Sequence, residues 1–475
     1  MDGMQHVTKR RLLAGAAASL GLIGAACGPA TGAPGSGNTS AQGAGGKVRI
    51  MGTFVDQTQG ETLWRQWKAE IAEKEKGVDA EFVVQPQGGN IPDKLLAMVV
   101  AGDAPDVTQG TSLEYAARGL LADLTSRIKQ DKILETRKYF KKPVEAAQFE
   151  GKFFAMPGGL SAYVFWTNLD MLKNAGIEPP KDGRMTFDDF VRFCKAVTKD
   201  TDGDGRVDQW GYDADNWFSR LPPLIWANGG DMFEYTKGTN LVLKPTWDRA
   251  ETWQAIQWQA DLITQHRVGP PPSDKAAVQA ASFVAGKRLF DYGGGWKISD
   301  FRKQIGTNFR WAALRAPIKK AGDKPTEMVP AFLRGSILKD SKNRDAAWRA
   351  LRYISGPEGN VGYRTYVTDE LIFDTPEEIK RYVEQSPTAN TQLLVDAARE
   401  AGNRAFNKSE PPAGRVLFGW ASEMVPAMNE EFAPIYEGKT TAKEAVTRLQ
   451  PRLAAVIEKG KANGIDPEKP NIKLG

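Results

Sequence analysis

GKFFAMPGGLSAYVFWTNLDMLKNAGI, residues 151–177, is the stretch on which the fold turns. It begins as an extended run from Phe153 to Met156 and passes Pro157-Gly158-Gly159. It resumes as a β-rich run from Tyr163 to Trp166 and ends in Asn168-Leu169-Asp170, which opens a short helix. A strand, a flexible break and a second strand is how a chain leaves one lobe and enters another. Gly158 and Gly159 are therefore the expected hinge, and replacing either with Pro is expected to alter closure more than folding.

Upstream, strands alternate with helices. Residues 47–54 alternate as a strand, and 60–76 form a helix with Leu63, Trp67 and Ile71 on one stripe. Residues 78–84 are a second strand, and 91–100 a helix with Pro92 in its first turn. A turn at 101–107 leads into a third strand, and 113–121 into a helix. This order predicts an α/β lobe on a mostly parallel sheet. Ligands of such sheets bind beyond the carboxyl ends of the strands. Those ends hold Asp56, Gln57, Thr111 and Ser112.

Downstream, Thr186 caps a helix over 186–198, on which Cys194 reads as a buried apolar thiol. Residues 309–317 form a strand that crosses back, 331–338 an apolar strand, and 344–354 a helix. From Tyr363 the chain is mostly helical. Three crossings are expected: the opening stretch, Leu314 to Pro317, and a segment near Tyr366 to Leu371.

Composition narrows the chemistry. The 475 residues are 41% hydrophobic and 25% charged, as in soluble globular proteins, and suffice for two cores. Net charge is +5; Lys9, Arg10, Arg11 and Asp2 account for two of these charges, which leaves +3 on residues 27–475. That excess is too small to argue for nucleic acid. His6 and His266 are the only histidines, and Cys27 and Cys194 the only cysteines. Ser-His-Asp, Cys-His and cysteine-based zinc chemistry are thereby disfavoured, and no disulfide framework exists. No Walker-type loop or His-Glu-x-x-His motif is present.

Residues 1–27 read as an export signal. Lys9-Arg10-Arg11 is basic, and Leu12 to Ala26 is apolar but shorter than the about 20 residues of a comfortable membrane span. Gly24-Ala25-Ala26 before Cys27 resembles a bacterial lipobox, whose cysteine is acylated. The alternative is an ordinary signal cut near Ala26. Thr8 to Leu13 resembles a twin-arginine signal, so the route is Sec or twin-arginine. Residues 28–46 are almost all Gly, Ala, Ser, Thr and Pro, a tether reaching roughly 20–25 Å. Anchor and tether together predict an extracytoplasmic lipoprotein held at the membrane.

Several segments carry a family likeness. Ala104-Pro105-Asp106-Val107 is followed by Gly119-Leu120-Leu121. Then come Trp166-Thr167-Asn168-Leu169-Asp170 and Asn174-Ala175-Gly176-Ile177. Residues 283–296, FVAGKRLFDYGGGW, carry Phe290 where the family has Met. In this order, the chain resembles the extracellular solute-binding proteins of bacterial ABC importers, of the sugar and oligosaccharide-binding type typified by the maltose-binding protein. The likeness runs from about 47 to 459. It implies a two-lobed fold with mixed sheets flanked by helices and a ligand cleft between the lobes. The division expected is 47–157 and 315–368 for the first lobe, 158–314 for the second, and 369–475 as a mainly helical part packed on the second.

The resemblance places Trp217 and Phe218 on the cleft wall and Trp420 on a segment that faces the sugar. Trp296 is the foremost contact: an indole stacks on the apolar face of a pyranose, while Gly295 lets backbone approach the ligand. Trp296 and Trp217 are expected across from Thr111 and Asp56. The implied partners are a sugar and the permease subunits of an ABC transporter; the protein is expected to be a monomer and not an enzyme. The rivals are a secreted glycoside hydrolase, which needs two carboxylates at fixed separation, a structural surface lipoprotein, and a binder of glycerol phosphate or polyamine.

No cofactor is required, and calcium is the one ion the sequence offers. Asp200, Asp202 and Asp204 stand at positions 1, 3 and 5 of an EF-hand-like loop, with Arg206 at 7 and Asp208 at 9. Position 12 is Gly211 and not the bidentate Glu, so a further carboxylate has to come from elsewhere, Asp213 being one candidate. The alternative is a solvated Asp-Gly turn.

Overall fold

The computed structural model describes residues 46–52, 57–83, 91–109, 113–213, 220–236, 241–366, 370–384, 390–402 and 423–462. Cys27 and residues 28–45 of the expected tether lie outside them, and Gly46, its expected last residue, opens the first strand. The strands, in chain order, are β1 (Gly46–Met51), β2 (Val78–Val83), β3 (Val107–Thr108), β4 (Gln148–Phe149), β5 (Lys152–Phe153), β6 (Met156–Leu160), β7 (Val164–Asn168), β8 (Phe233–Tyr235), β9 (Val242–Pro245), β10 (Phe290–Gly293), β11 (Trp311–Leu314) and β12 (Ala331–Ile337).

The first sheet has the order β2-β1-β3-β12-β6. β1 runs parallel to β2 and β3, with Val48 opposite Ala80 and Ile50 opposite Val107. β12 is antiparallel to both β3 and β6, so the sheet is mixed. Helix Gln57–Lys74 makes the first crossover. Its expected stripe of Leu63, Trp67 and Ile71 is fully buried, each residue adding roughly 1.5–3 kcal/mol of hydrophobic stabilisation. The helix expected over 113–121 is only Leu113–Ala117. Gly119 adopts a left-handed φ of 69°, and Leu120 N–H donates back to the Tyr115 carbonyl. That is a Schellman-type stop, and it frees Leu121 to bridge to Leu338.

The second sheet has the order β10-β7-β11, antiparallel throughout. Trp166 at its centre faces Asp291 on one side and Ala313 on the other. Its core is aromatic: Phe190 stacks on Phe290 at 4.6 Å and meets Phe165 edge-on at 5.1 Å. Thr186 caps helix Phe187–Val197 through a capping box with Asp189. Cys194 on that helix is fully buried, and burial pushes its thiol well up. The helices Val425–Tyr436 and Ala442–Ala462 pack into the same core through Phe432, Leu449 and Leu453.

One expectation about the opening stretch is corrected. Pro157, Gly158 and Gly159 are not a break but the middle of β6, buried and paired with β12. Proline fits because β6 is the edge strand of its sheet. The glycines fit because a Cβ on Gly158 would lie 2.6 Å from the Phe332 carbonyl oxygen, and one on Gly159 2.7 Å from Glu370 Cβ. The chain passes from the first sheet to the second at Ser161-Ala162-Tyr163. Leu371, at the end of one other expected crossing, lies beside it; the return expected at Leu314 to Pro317 comes later, since Leu314, Ala316 and Met328 all belong to the aromatic core of the second sheet and Val329 and Ala331 do not. Leu160 and Leu371 exchange backbone hydrogen bonds of 2.7 and 3.0 Å, and Tyr163 N–H donates to the Met328 carbonyl at 2.9 Å.

Candidate functional site

The site is built where β10 runs out against the Ser161–Tyr163 crossing. Gly293-Gly294-Gly295 ends the strand, and Trp296 leads into helix Lys297–Gln304. Gly295 N–H donates to Ser161 Oγ at 3.0 Å, which ties the glycines to the crossing. A Cβ on Gly294 would lie 2.3 Å from the Trp296 ring and 2.4 Å from Ser161 Oγ, so only glycine lets the indole lie this low. Tyr163 meets that indole edge-on at 4.8 Å. Trp296 is half-buried in consequence, a fixed ring with part of its surface open.

Beside it runs a chain of buried charges. Arg220 donates to Asp213 at 2.7 Å, and Arg288 bonds both Asp213 and Asp291, the latter at 2.7 Å. Lys297 donates to Asp291 at 2.6 Å. Burial pushes the Asp213 carboxyl up, but Arg220 and Arg288 outweigh it and hold the group below the ordinary range. Under the crossing, Arg334 pairs with Glu370 at 3.1 Å and lies 3.7 Å over the Tyr363 ring. There burial wins over Arg334, and Glu370 is held above the ordinary range. Arg315 grips Glu327 with two bonds of 2.8 Å.

Of the sequence-derived contacts, the structure brings Trp296 and Gly295 to the crossing. Asp56, Thr111, Ser112, Trp217, Phe218, Trp420 and the side chain of Gln57 lie outside the described residues. Ser161, Tyr163, Lys297 and the Asp213–Asp291 chain escaped the reading. Arg288 pairs with a carboxylate 75 positions away, a distance with no pattern to reveal it. Two cavities of about 450 and 500 Å³ are lined around Pro270 and Tyr436 and around Arg184 and Asn390. Neither is lined by Trp296.

In the Asp-rich loop, Asp200, Asp202 and Asp204 each offer an oxygen within 4.8 Å of the others. Asp200 already accepts from the Gly203 and Gly205 N–H groups, and Asp204 from that of Arg206. Asp208 does not join them. It turns to Thr201 and Lys287, and the Lys287 ammonium holds its carboxyl down at about 2. Asp213, the candidate to complete the loop, is committed to Arg220 and Arg288 instead.

The family described as bacterial extracellular solute-binding protein matches residues 56–361, more than half of the chain. The chain belongs to that family. A solute-binding protein of this kind has solved counterparts across nearly its whole length. An ABC substrate-binding protein of Listeria monocytogenes, in complex with cycloalternan, superposes with a TM-score of 0.73 at 19% identity, covering 87% of this chain and 99% of that one. The maltose/maltodextrin-binding domain MalE from Bdellovibrio bacteriovorus, bound to maltotriose, gives 0.67 at 15% over 87% and 100%. UgpB from Mycobacterium tuberculosis, in complex with glycerophosphocholine, gives 0.69 at 15% over 88% and 99%. The fold is thus the two-lobed one of these proteins. A probable sugar-binding periplasmic protein of Mesorhizobium japonicum is 28% identical over 230 residues, 45% of this chain and about half (51%) of that protein. Among the described residues no helix is long and apolar enough to cross a membrane.

Proposed function

We propose that this solute-binding protein captures a carbohydrate, a mono- or oligosaccharide, outside the cytoplasm and delivers it to the permease of an ABC importer. The observation that carries the reading is Trp296: a ring held by Tyr163, Gly293 and Gly294, part-open, at the crossing between the two sheets. A sugar stacks on such a ring while nearby polar groups bond its hydroxyls. Closure of the lobes on the ligand would then mark the loaded form for the permease. Acylation of Cys27 and the 28–46 tether would hold the protein at the membrane. The name of the Mesorhizobium relative supports a sugar.

The chemistry is capture without turnover. Asp213, Asp291, Glu327 and Glu370 are each bound to arginine, which suits structural anions better than a general acid and base. Calcium at Asp200, Asp202 and Asp204 belongs to the same reading as a structural ion remote from the ligand. A thermal-shift screen over mono- and oligosaccharides is the test, since a ligand that binds only the folded state raises its melting temperature. Trp296→Ala should abolish the shift given by the best sugar. Response to glycerol phosphates or polyamines alone would overturn the sugar assignment, and cleavage of an oligosaccharide would overturn the binding-only role. The glycerophosphocholine held by UgpB makes the phosphodiester arm the first rival to include.

A further inference from the structure

The β8–β9 hairpin begins in one core and ends in the other. Its foot is fixed on the second core. Thr246 N–H donates to the Met232 carbonyl at 2.9 Å, and Gln450 on helix Ala442–Ala462 donates to the Pro245 carbonyl at 2.8 Å. Trp247 at the foot is fully buried. Glu234 pairs with Lys244 at 3.2 Å and Arg249 at 3.1 Å, which stiffens the two arms. Toward the far end, Thr236 N–H donates to the Leu241 carbonyl at 3.1 Å.

Phe233 and Val242 of this hairpin belong to the aromatic core of the second sheet. Leu241, the very next residue to Val242, does not. It is 2% exposed and sits in a separate apolar cluster with Met51, Leu95, Leu113, Phe149 and Leu338. Every one of those residues flanks the first sheet: Met51 ends β1, Leu113 opens the helix after β3, and Leu338 follows β12. Consecutive residues of an extended chain point to opposite sides, so one hairpin can serve both cores. Leu241 thus rests at the carboxyl ends of the parallel strands, the edge where a ligand of this sheet is expected.

We infer that the β8–β9 hairpin is a strap, and that Leu241 is the latch by which the second lobe holds the first closed. Each opening of the cleft draws Leu241 out of its pocket and exposes it to water. The hydrophobic free energy of that side chain therefore favours the closed form with no ligand present. A ligand has correspondingly less of the closure to drive, and its apparent affinity rises with the fraction of molecules already closed. The inference rests on the two-lobed fold and not on which solute is captured.

Amide hydrogen exchange on the ligand-free full chain tests it. With Leu241→Ala, exchange in 46–52 and 113–121 should speed up about tenfold, the least that burial of a whole leucine is worth. Helices Ala250–Thr264 and Ala442–Ala462 should keep their protection. Leu241→Met should behave as the unaltered protein, and Leu241→Val should shift the same two segments by a smaller factor. Unchanged exchange in those segments would overturn the latch. Equal loosening of the two helices would do so as well, because Leu241 would then only be packing its own lobe. Since no ligand enters the measurement, its outcome is independent of any failure of the sugar assignment.

Discussion

β6 and β7 are both five-residue strands, both fully buried, and only three residues apart, yet they are built in opposite ways. β7 is the centre of its sheet, with regular pairing on both sides and large side chains filling the space above and below. β6 is an edge strand, paired with β12 through two register shifts and bridged at its end by Leu371, and its middle has almost no side chain. Burial in β7 comes from what its residues bring. Burial in β6 comes from how closely other backbone approaches. The charges beside them differ in the same sense: Asp213 on the β7–β10 side is held ionised by two arginines, whereas Glu370 against β6 is raised by burial.

The largest effect should come from emptying β7. Trp166 is fully buried and touches Trp311 and Phe301 at 5.5 and 6.0 Å. Trp166→Ala should cost about 4 kcal/mol, the usual price of a large aromatic truncated in a core, measured by urea unfolding. A loss below about 1 kcal/mol would mean that the site collapses and that β7 is no more filled than β6.

Asp213→Asn comes next, at about 3 kcal/mol, because it leaves Arg220 and Arg288 buried without their shared carboxylate. The pH dependence has a definite sign. A carboxyl lowered by folding adds stability above its unfolded value, ordinarily about 3.9, and that stability is lost as pH falls through the lowered folded value. The acid limb of the unfolding curve should therefore be shallower in Asp213→Asn. An unchanged limb would show that the arginines do not hold Asp213 in the folded state.

Gly158→Val probes the other strand and should cost about 2 kcal/mol by overpacking. It inverts the hinge expectation: with 2.6 Å to the Phe332 carbonyl, the added side chain disturbs folding before it disturbs closure. Altered affinity at unchanged stability would restore the hinge reading.

These contrasts explain what was legible beforehand. The stripe Leu63-Trp67-Ile71, the Thr186 cap and the Trp166–Asn168 strand end were readable because the cause of each lies within a few residues. Pro157-Gly158-Gly159 misled because a glycine needed for a close approach is spelled like a glycine needed for flexibility. The approaching groups, Phe332 and Glu370, are remote in sequence. Trp296 was readable through its family motif, but Tyr163 and Ser161, which fix it, come from the far side of a crossing. The Asp-rich loop was half readable: local spacing gathered three carboxylates, while Lys287 took Asp208 and Arg288 took Asp213 from outside the motif.

The smallest effect should be Glu370→Gln. Glutamine keeps an acceptor for Arg334 and for the Gly159 N–H, and it removes a charge that burial already disfavours. The change should cost about 1 kcal/mol at neutral pH, the worth of a weakened hydrogen bond. Here the pH sign is opposite to that of Asp213. A carboxyl raised by folding contributes stability that is fully present below its unfolded value, ordinarily about 4.3, and is lost as pH rises through the raised folded value. The gap between Glu370→Gln and the unaltered protein should therefore widen in favour of the latter as pH falls from 7 toward 4, while the gap for Asp213→Asn closes at still lower pH. Two gaps moving in the same direction would mean that both sides of the crossing hold their acids alike, and the contrast between the strands would then stop at packing.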